Sequence, residues 1–131
     1  MESLIIEATE SSPKINFDAN NNVFEISGES RPEDVRKFYE PVLSWISEFG
    51  NSLANAGKKE IEFNFIFEYF NSSSAKYIMD IMSKINDIQA SNSDVEIQIC
   101  WHYEEMDEDI LEAGEEFQSI TQIPFKFIAI K

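Results

Sequence analysis

The segment Tyr69-Phe70-Asn71-Ser72-Ser73-Ser74-Ala75-Lys76-Tyr77-Ile78-Met79-Asp80 gathers three adjacent hydroxyls where an apolar run gives way to a helical pattern. Two chemistries suit that arrangement. Asn71 or Ser72 can cap the helix, satisfying N–H groups that lack an intrahelical acceptor, which contributes about 1 kcal/mol. Three hydroxyls exceed what one cap requires, and the reciprocal acid of a capping box is missing, because Lys76 stands three residues after Ser73. A helix N-terminus also tolerates a phosphate, since its free N–H groups and its dipole both favour negative charge. The pattern leaves both readings open: a cap, or a cap that doubles as a phosphorylation site.

Other reactive side chains are sparse. His102 is the one histidine and sits on the polar side of an alternating run, where a solvated or hydrogen-bonded role is expected rather than catalysis. Cys100 is expected to be a small, partly buried side chain rather than a reactive thiol. Neither a Gly-rich phosphate loop nor a nucleophile elbow nor a helix-borne zinc-binding pair occurs. The acids Glu104, Glu105, Asp107, Glu108, Asp109, Glu112, Glu115 and Glu116 lack the alternating ligands and central glycine of a calcium loop, and read as a solvated helix face. No catalytic residue, metal ligand or cofactor site is assigned, and an enzyme is not expected.

These residues must be positioned by elements that the pattern outlines. Lys14 to Phe17 and Val23 to Ile26 flank an Asn-rich turn and predict a β-hairpin. A helical pattern beginning around Ser30-Arg31-Pro32-Glu33 carries Val35, Phe38, Val42, Trp45, Phe49 and Leu53 at steps of three and four, and Pro41 inside it predicts either a kink or a short first turn that ends there before the main helix begins. Ile61, Phe63, Phe65, Phe67 and Tyr69 share one face of a strand whose other face carries Glu62, Asn64 and Glu68. A second helix opens at Asn71 to Ser74 and includes Ile78, Met82, Ile85 and Ile88 or Gln89, ending in the polar Ala90 to Ser93. A further strand sets Val95, Ile97, Ile99, Trp101 and Tyr103 against Glu96, Gln98, Cys100 and His102. A third helix holds Met106, Ile110, Ala113 and Phe117, and a last strand runs from Phe125 to Ile130. The order predicts an α/β fold: an N-terminal β-hairpin, then alternating helices and strands in a mixed sheet, its later strands mostly parallel. The residual alternation puts the helices mainly on one face, leaving a polar face uncovered.

The 131 residues suit a single domain over 1–131. Ten Lys plus Arg against 25 Asp plus Glu give a net charge of −15, which opposes binding to nucleic acid or anionic membrane. Hydrophobic residues at 43%, with 11 Phe among them, nevertheless provide ample surface for a core. The start lacks a basic region and a long apolar run, so no secretory signal or membrane span is expected and the expected compartment is the cytoplasm. One cysteine cannot form an internal disulfide.

At the serine cluster the chain resembles the SiaC family of bacterial regulatory phosphoproteins. The resemblance rests on Tyr69-Phe70-Asn71-Ser72-Ser73-Ser74 followed by Met79-Asp80-Ile81, and on Trp101-His102-Tyr103, Glu115-Glu116-Phe117, Pro124-Phe125, Ser11-Ser12-Pro13 and Pro32-Glu33, in the same order along nearly the whole chain. It implies a fold similar to anti-sigma-factor antagonist (STAS-like) domains and a non-enzymatic switch in biofilm regulation. A Ser/Thr protein kinase phosphorylates such a protein, a PPM-type phosphatase reverses this, and the unphosphorylated form binds and activates a diguanylate cyclase or another effector, linking it to cyclic di-GMP signalling. The family's acceptor follows the strand-end Asn and is usually Thr. It corresponds here to Ser72, with Ser73 as competitor. Partner contacts are then expected at Tyr69, Phe70, Asn71, Ser73, Ser74, Lys76 and Tyr77. A reading of a different class is an unphosphorylated interaction or scaffold domain using the polar sheet face, including Glu62, Asn64, Glu96, Gln98 and His102.

Overall fold

The computed structural model describes residues 1–131. Six strands, β1 (Leu4–Ile6), β2 (Lys14–Asp18), β3 (Val23–Ser30), β4 (Lys59–Phe70), β5 (Val95–Glu104) and β6 (Phe125–Ile130), form one sheet in sequential order. Helices α1 (Val35–Ser52), α2 (Ser72–Ser91) and α3 (Glu108–Ile120) join β3 to β4, β4 to β5 and β5 to β6. The first three strands pair antiparallel, and the β3–β4, β4–β5 and β5–β6 pairs are parallel. Crossovers of one hand that step repeatedly to the next strand in the same direction deposit every helix on the same side. The expected hairpin, alternation and one-sided layer are therefore all present.

Alternation along the strands divides apolar from polar. Phe17, Phe24, Ile26, Ile61, Phe63, Phe65, Ile97, Ile99 and Trp101 point under the helices and are almost fully buried. One aromatic group, Phe17, Phe24 and Phe63, packs against Trp45 and Phe49 of α1. A second, Phe65, Phe67, Phe70 and Trp101, meets Phe117 of α3. α2 adds Ile78, Ile81, Met82 and Ile85, all fully buried.

Five local expectations change. Leu4–Ile6 forms a strand on the outer edge of the hairpin, too short to display a period, with the nearby Glu2 carbonyl accepting a 2.8 Å bond from Trp45 Nε1–H. Helix α1 starts at Val35 rather than near Ser30, because Ser30 still pairs with Phe70 in the sheet and Asp34 supplies the cap to the Lys37 N–H. The helix is continuous through Pro41, which is exposed, so the carbonyl that the proline leaves unpaired faces water. Met106 lies before α3 in an exposed turn, since Asp107 caps that helix.

The fifth change bears on the serine segment. Gly28 pairs with Phe67 but Glu29 pairs with Tyr69, so Glu68 is an extra residue in β4. Gly28 has φ +109°, a backbone state in which a side chain would be strained. The bulge reverses the alternation: Tyr69, expected on the apolar face, turns outward and is 49% exposed, whereas Phe70 turns inward against Phe67 and Trp101.

Cys100 is also more enclosed than its polar-face position suggests, at 1% exposure, and donates Sγ–H to Glu62 Oε2 at 3.0 Å. Burial, reinforced by the Glu62 carboxylate, pushes its thiol from 9.0 up to about 12. At pH 8 the native thiol therefore stays protonated, and alkylation by iodoacetamide is expected only after unfolding; rapid labelling of folded protein, read by intact mass, would contradict this burial.

Candidate functional site

The parallel strands β3, β4 and β5 end on the same edge of the sheet, and the N-termini of α1, α2 and α3 begin there. The serine segment is the middle of these three starts. Asn71 is the N-cap of α2: its side-chain oxygen accepts from Ser74 N–H at 2.9 Å and its carbonyl accepts from Ala75 N–H at 3.0 Å. The N–H groups of Ser72 and Ser73 have no partner within the chain. The capping reading is therefore realised by Asn71 and leaves two hydroxyls over.

The three serines divide by burial. Ser72 and Ser73 are exposed, whereas Ser74 is fully buried. Ser74 Oγ–H donates to the Ser30 carbonyl at 2.9 Å, and Ser30 Oγ–H donates to Ser74 Oγ at 2.8 Å. With both of those protons committed, the 2.6 Å contact between Ser30 Oγ and Tyr39 OH is a bond donated by the phenol. The same Ser30 carbonyl accepts from Asn71 N–H at 3.1 Å. Burial pushes the Tyr39 phenol from 10.0 up to about 12, so it remains a donor at neutral pH. The Ser74 side chain, expected among the partner contacts, thus faces the interior and presents no surface to a partner.

Around the exposed pair, Tyr69 faces solvent, Phe70 is half-buried over the second aromatic group, and Lys76 is exposed one turn along α2. Lys76 Nζ stands 5.3 Å from the centre of the Tyr77 ring. Tyr77 stacks on Tyr39 of α1 at 5.5 Å and 10°, so much of its ring is engaged in packing. Tyr69, Ser72, Ser73 and Lys76 are the sequence-assigned residues exposed at this edge, with Asn71 partly so.

The opposite candidate surface is the sheet face without helices. His102 Nε2 and Asn64 Oδ1 are 3.0 Å apart, and burial lowers the His102 pKa against the opposing pull of Glu25, which keeps the ring neutral at pH 7. A shallow groove of about 750 Å³ borders Glu60, Glu62, Asn64, Glu96, Gln98 and Lys126, but His102 lies outside it. No three His, Cys, Asp or Glu side chains converge as metal ligands, and no helix is long and apolar enough to cross a membrane. Sequence reasoning missed Ser30 and Tyr39 as parts of the serine site; their signal lies in strand register, which no local pattern contains.

Residues 6–130 match the model of a family described as SiaC family regulatory phosphoprotein. An uncharacterized protein of Pseudomonas aeruginosa strain UCBPP-PA14 is 30% identical over 125 residues, which is 95% of this chain and 94% of that protein. Among solved structures, SiaC of Pseudomonas aeruginosa is similar at a TM-score of 0.82 and 27% identity, over 99% of this chain and 100% of that one. The crystal structure of diguanylate cyclase SiaD in complex with its activator SiaC from the same species matches at a TM-score of 0.84 and 28% identity, over 97% of this chain and 99% of that one.

Proposed function

The chain belongs to the SiaC family of regulatory phosphoproteins, and from that premise we propose that it is a cytoplasmic, non-enzymatic switch whose unphosphorylated form binds and activates an effector such as a diguanylate cyclase. The observation that carries this reading is the exposed Ser72 hydroxyl on the first residue of α2, directly after the Asn71 cap, in a fold shared with an activator solved in complex with its cyclase. A Ser/Thr kinase adds the phosphate at Ser72 and a PPM-type phosphatase removes it. The two unpartnered N–H groups and the positive end of α2 make the free protein tolerant of the modification. Partner contact falls on the neighbouring exposed residues Tyr69, Ser73 and Lys76, with Phe70, Asn71 and Tyr77 shaping the rim.

Intact-mass and site-resolved mass spectrometry of protein isolated from its own host tests the assignment. One phosphate on Ser72, removed by phosphatase, is the expected result. A protein that never carries phosphate yet holds a stable partner would favour the second reading, docking through the uncovered sheet face around Glu62 and Glu96, for which the open groove between them speaks.

A further inference from the structure

Ser30 and Ser74 are the two fully buried polar residues of this protein, and they touch each other. They belong to elements 44 residues apart in sequence and are joined by a third fully buried group, the Tyr39 phenol of α1. Their contact depends on the β4 bulge. A regular β3–β4 register would set Ser30 beside Tyr69, whereas the extra residue Glu68 brings it beside Phe70, next to the Asn71 cap. From there the Ser30 carbonyl holds both Asn71 N–H and Ser74 Oγ–H. The chain of protons runs one way, from Tyr39 to Ser30 to Ser74 to the Ser30 carbonyl, with no hydroxyl proton left over.

A cap alone fixes where a helix starts but leaves its first turn free to fray. Holding Ser74 to the interior also fixes the direction in which the preceding residues point. Successive α-helical residues are rotated by about 100°, so Ser73 lies about 100° and Ser72 about 200° round from Ser74, and Ser72 is the one aimed most directly away from the core. We propose that Tyr39, Ser30 and Ser74 are positioning residues that pin the rotational phase of α2 and thereby select Ser72 over Ser73 as the hydroxyl presented to a modifying enzyme. This rests on the phosphoswitch reading of the same segment and adds to it the basis of acceptor choice.

The test uses the full chain with Ser74→Ala and, separately, Tyr39→Phe, which removes one hydroxyl and keeps the ring stacked on Tyr77. In both variants amide hydrogen exchange at Asn71, Ser74 and Ala75 is expected to be about tenfold faster than in the parent protein, with Ile81, Met82 and Ile85 unchanged. The Tyr39 variant is the sharper one, because its altered side chain lies on α1 and the readout on α2. In protein isolated from the host, phosphate is expected on Ser72 in the parent and divided between Ser72 and Ser73 in both variants. Unchanged exchange with phosphate confined to Ser72 in all three proteins would overturn the pin and leave the switch standing. Faster exchange in variants of a protein that never carries phosphate would overturn the switch, and acceptor selection with it.

Discussion

Ser72→Asp is expected to weaken binding to the activated effector by about 100-fold, whereas Ser72→Ala retains it. The asymmetry follows from what surrounds the position. Ser72 is exposed and makes no side-chain bond within the chain, so removing its hydroxyl leaves nothing unsatisfied. A carboxylate there enters a site whose free Ser72 and Ser73 N–H groups and helix dipole favour an anion, so the isolated variant keeps or slightly gains stability, on the order of 0.3–1 kcal/mol. The same charge buried beneath a partner loses its water, and without a cation opposite it that burial costs about 3 kcal/mol. Thermal melting and calorimetric titration together check the prediction. The variant should melt no lower than the parent while its affinity collapses, which separates an interface effect from unfolding. A phosphoryl group, with about −1.5 to −2 charges at neutral pH, should act more strongly than the single carboxylate.

The largest expected effect on stability is at Trp101. Its ring is fully buried among Phe65, Phe67, Phe70 and Phe117, and its Nε1–H donates to the Ile110 carbonyl at 2.9 Å. It also explains Gly114 in the middle of α3: a Cβ built there would stand 2.5 Å from the indole ring, so the absence of a side chain is what lets α3 settle on the sheet. Trp101→Ala is expected to lower unfolding free energy by about 3–5 kcal/mol, through a large cavity and the loss of the indole bond to the Ile110 carbonyl. Against a total of about 5–15 kcal/mol for a domain, that is enough to leave a substantial fraction unfolded on modest heating. Urea titration followed by circular dichroism measures it; a midpoint close to that of the parent would contradict the packing described. Because Phe70 leans on Trp101 and directly precedes Asn71, the loss reaches the serine segment as well as the core.

The strands and helices that carry long, regular patterns were legible in the sequence. Ile61 to Phe67 and Val95 to Trp101 alternate because one sheet face is covered and the other is not, and a single side of cover writes itself into period two. Period two alone places Tyr69 on the wrong face, because the bulge that turns it belongs to a pairing: Gly28 on β3 permits it and Glu68 on β4 absorbs it, 40 residues apart. The serine cluster was visible as a helix start with surplus hydroxyls. Its division into a buried Ser74 and exposed Ser72 and Ser73 was not, since it depends on Ser30 and Tyr39, which reach α2 only through tertiary register. β1 is three residues long and carries too little pattern to be read.

The net charge of −15 bears on the proposed switch. The docking edge itself is close to neutral, since the exposed residues near Ser72 along the chain are Glu68, Tyr69, Ser73 and Lys76, whose two opposite charges balance. One added anion at that edge changes the local balance far more than it changes the total.

The most direct measurement is a calorimetric titration of the effector captured with Ser72→Ala, using parent protein phosphorylated on Ser72 and the same preparation after phosphatase treatment. Binding by the dephosphorylated protein and at least about a 100-fold weaker interaction for the phosphorylated one is the result the switch requires. Equal affinity of the two forms would contradict it.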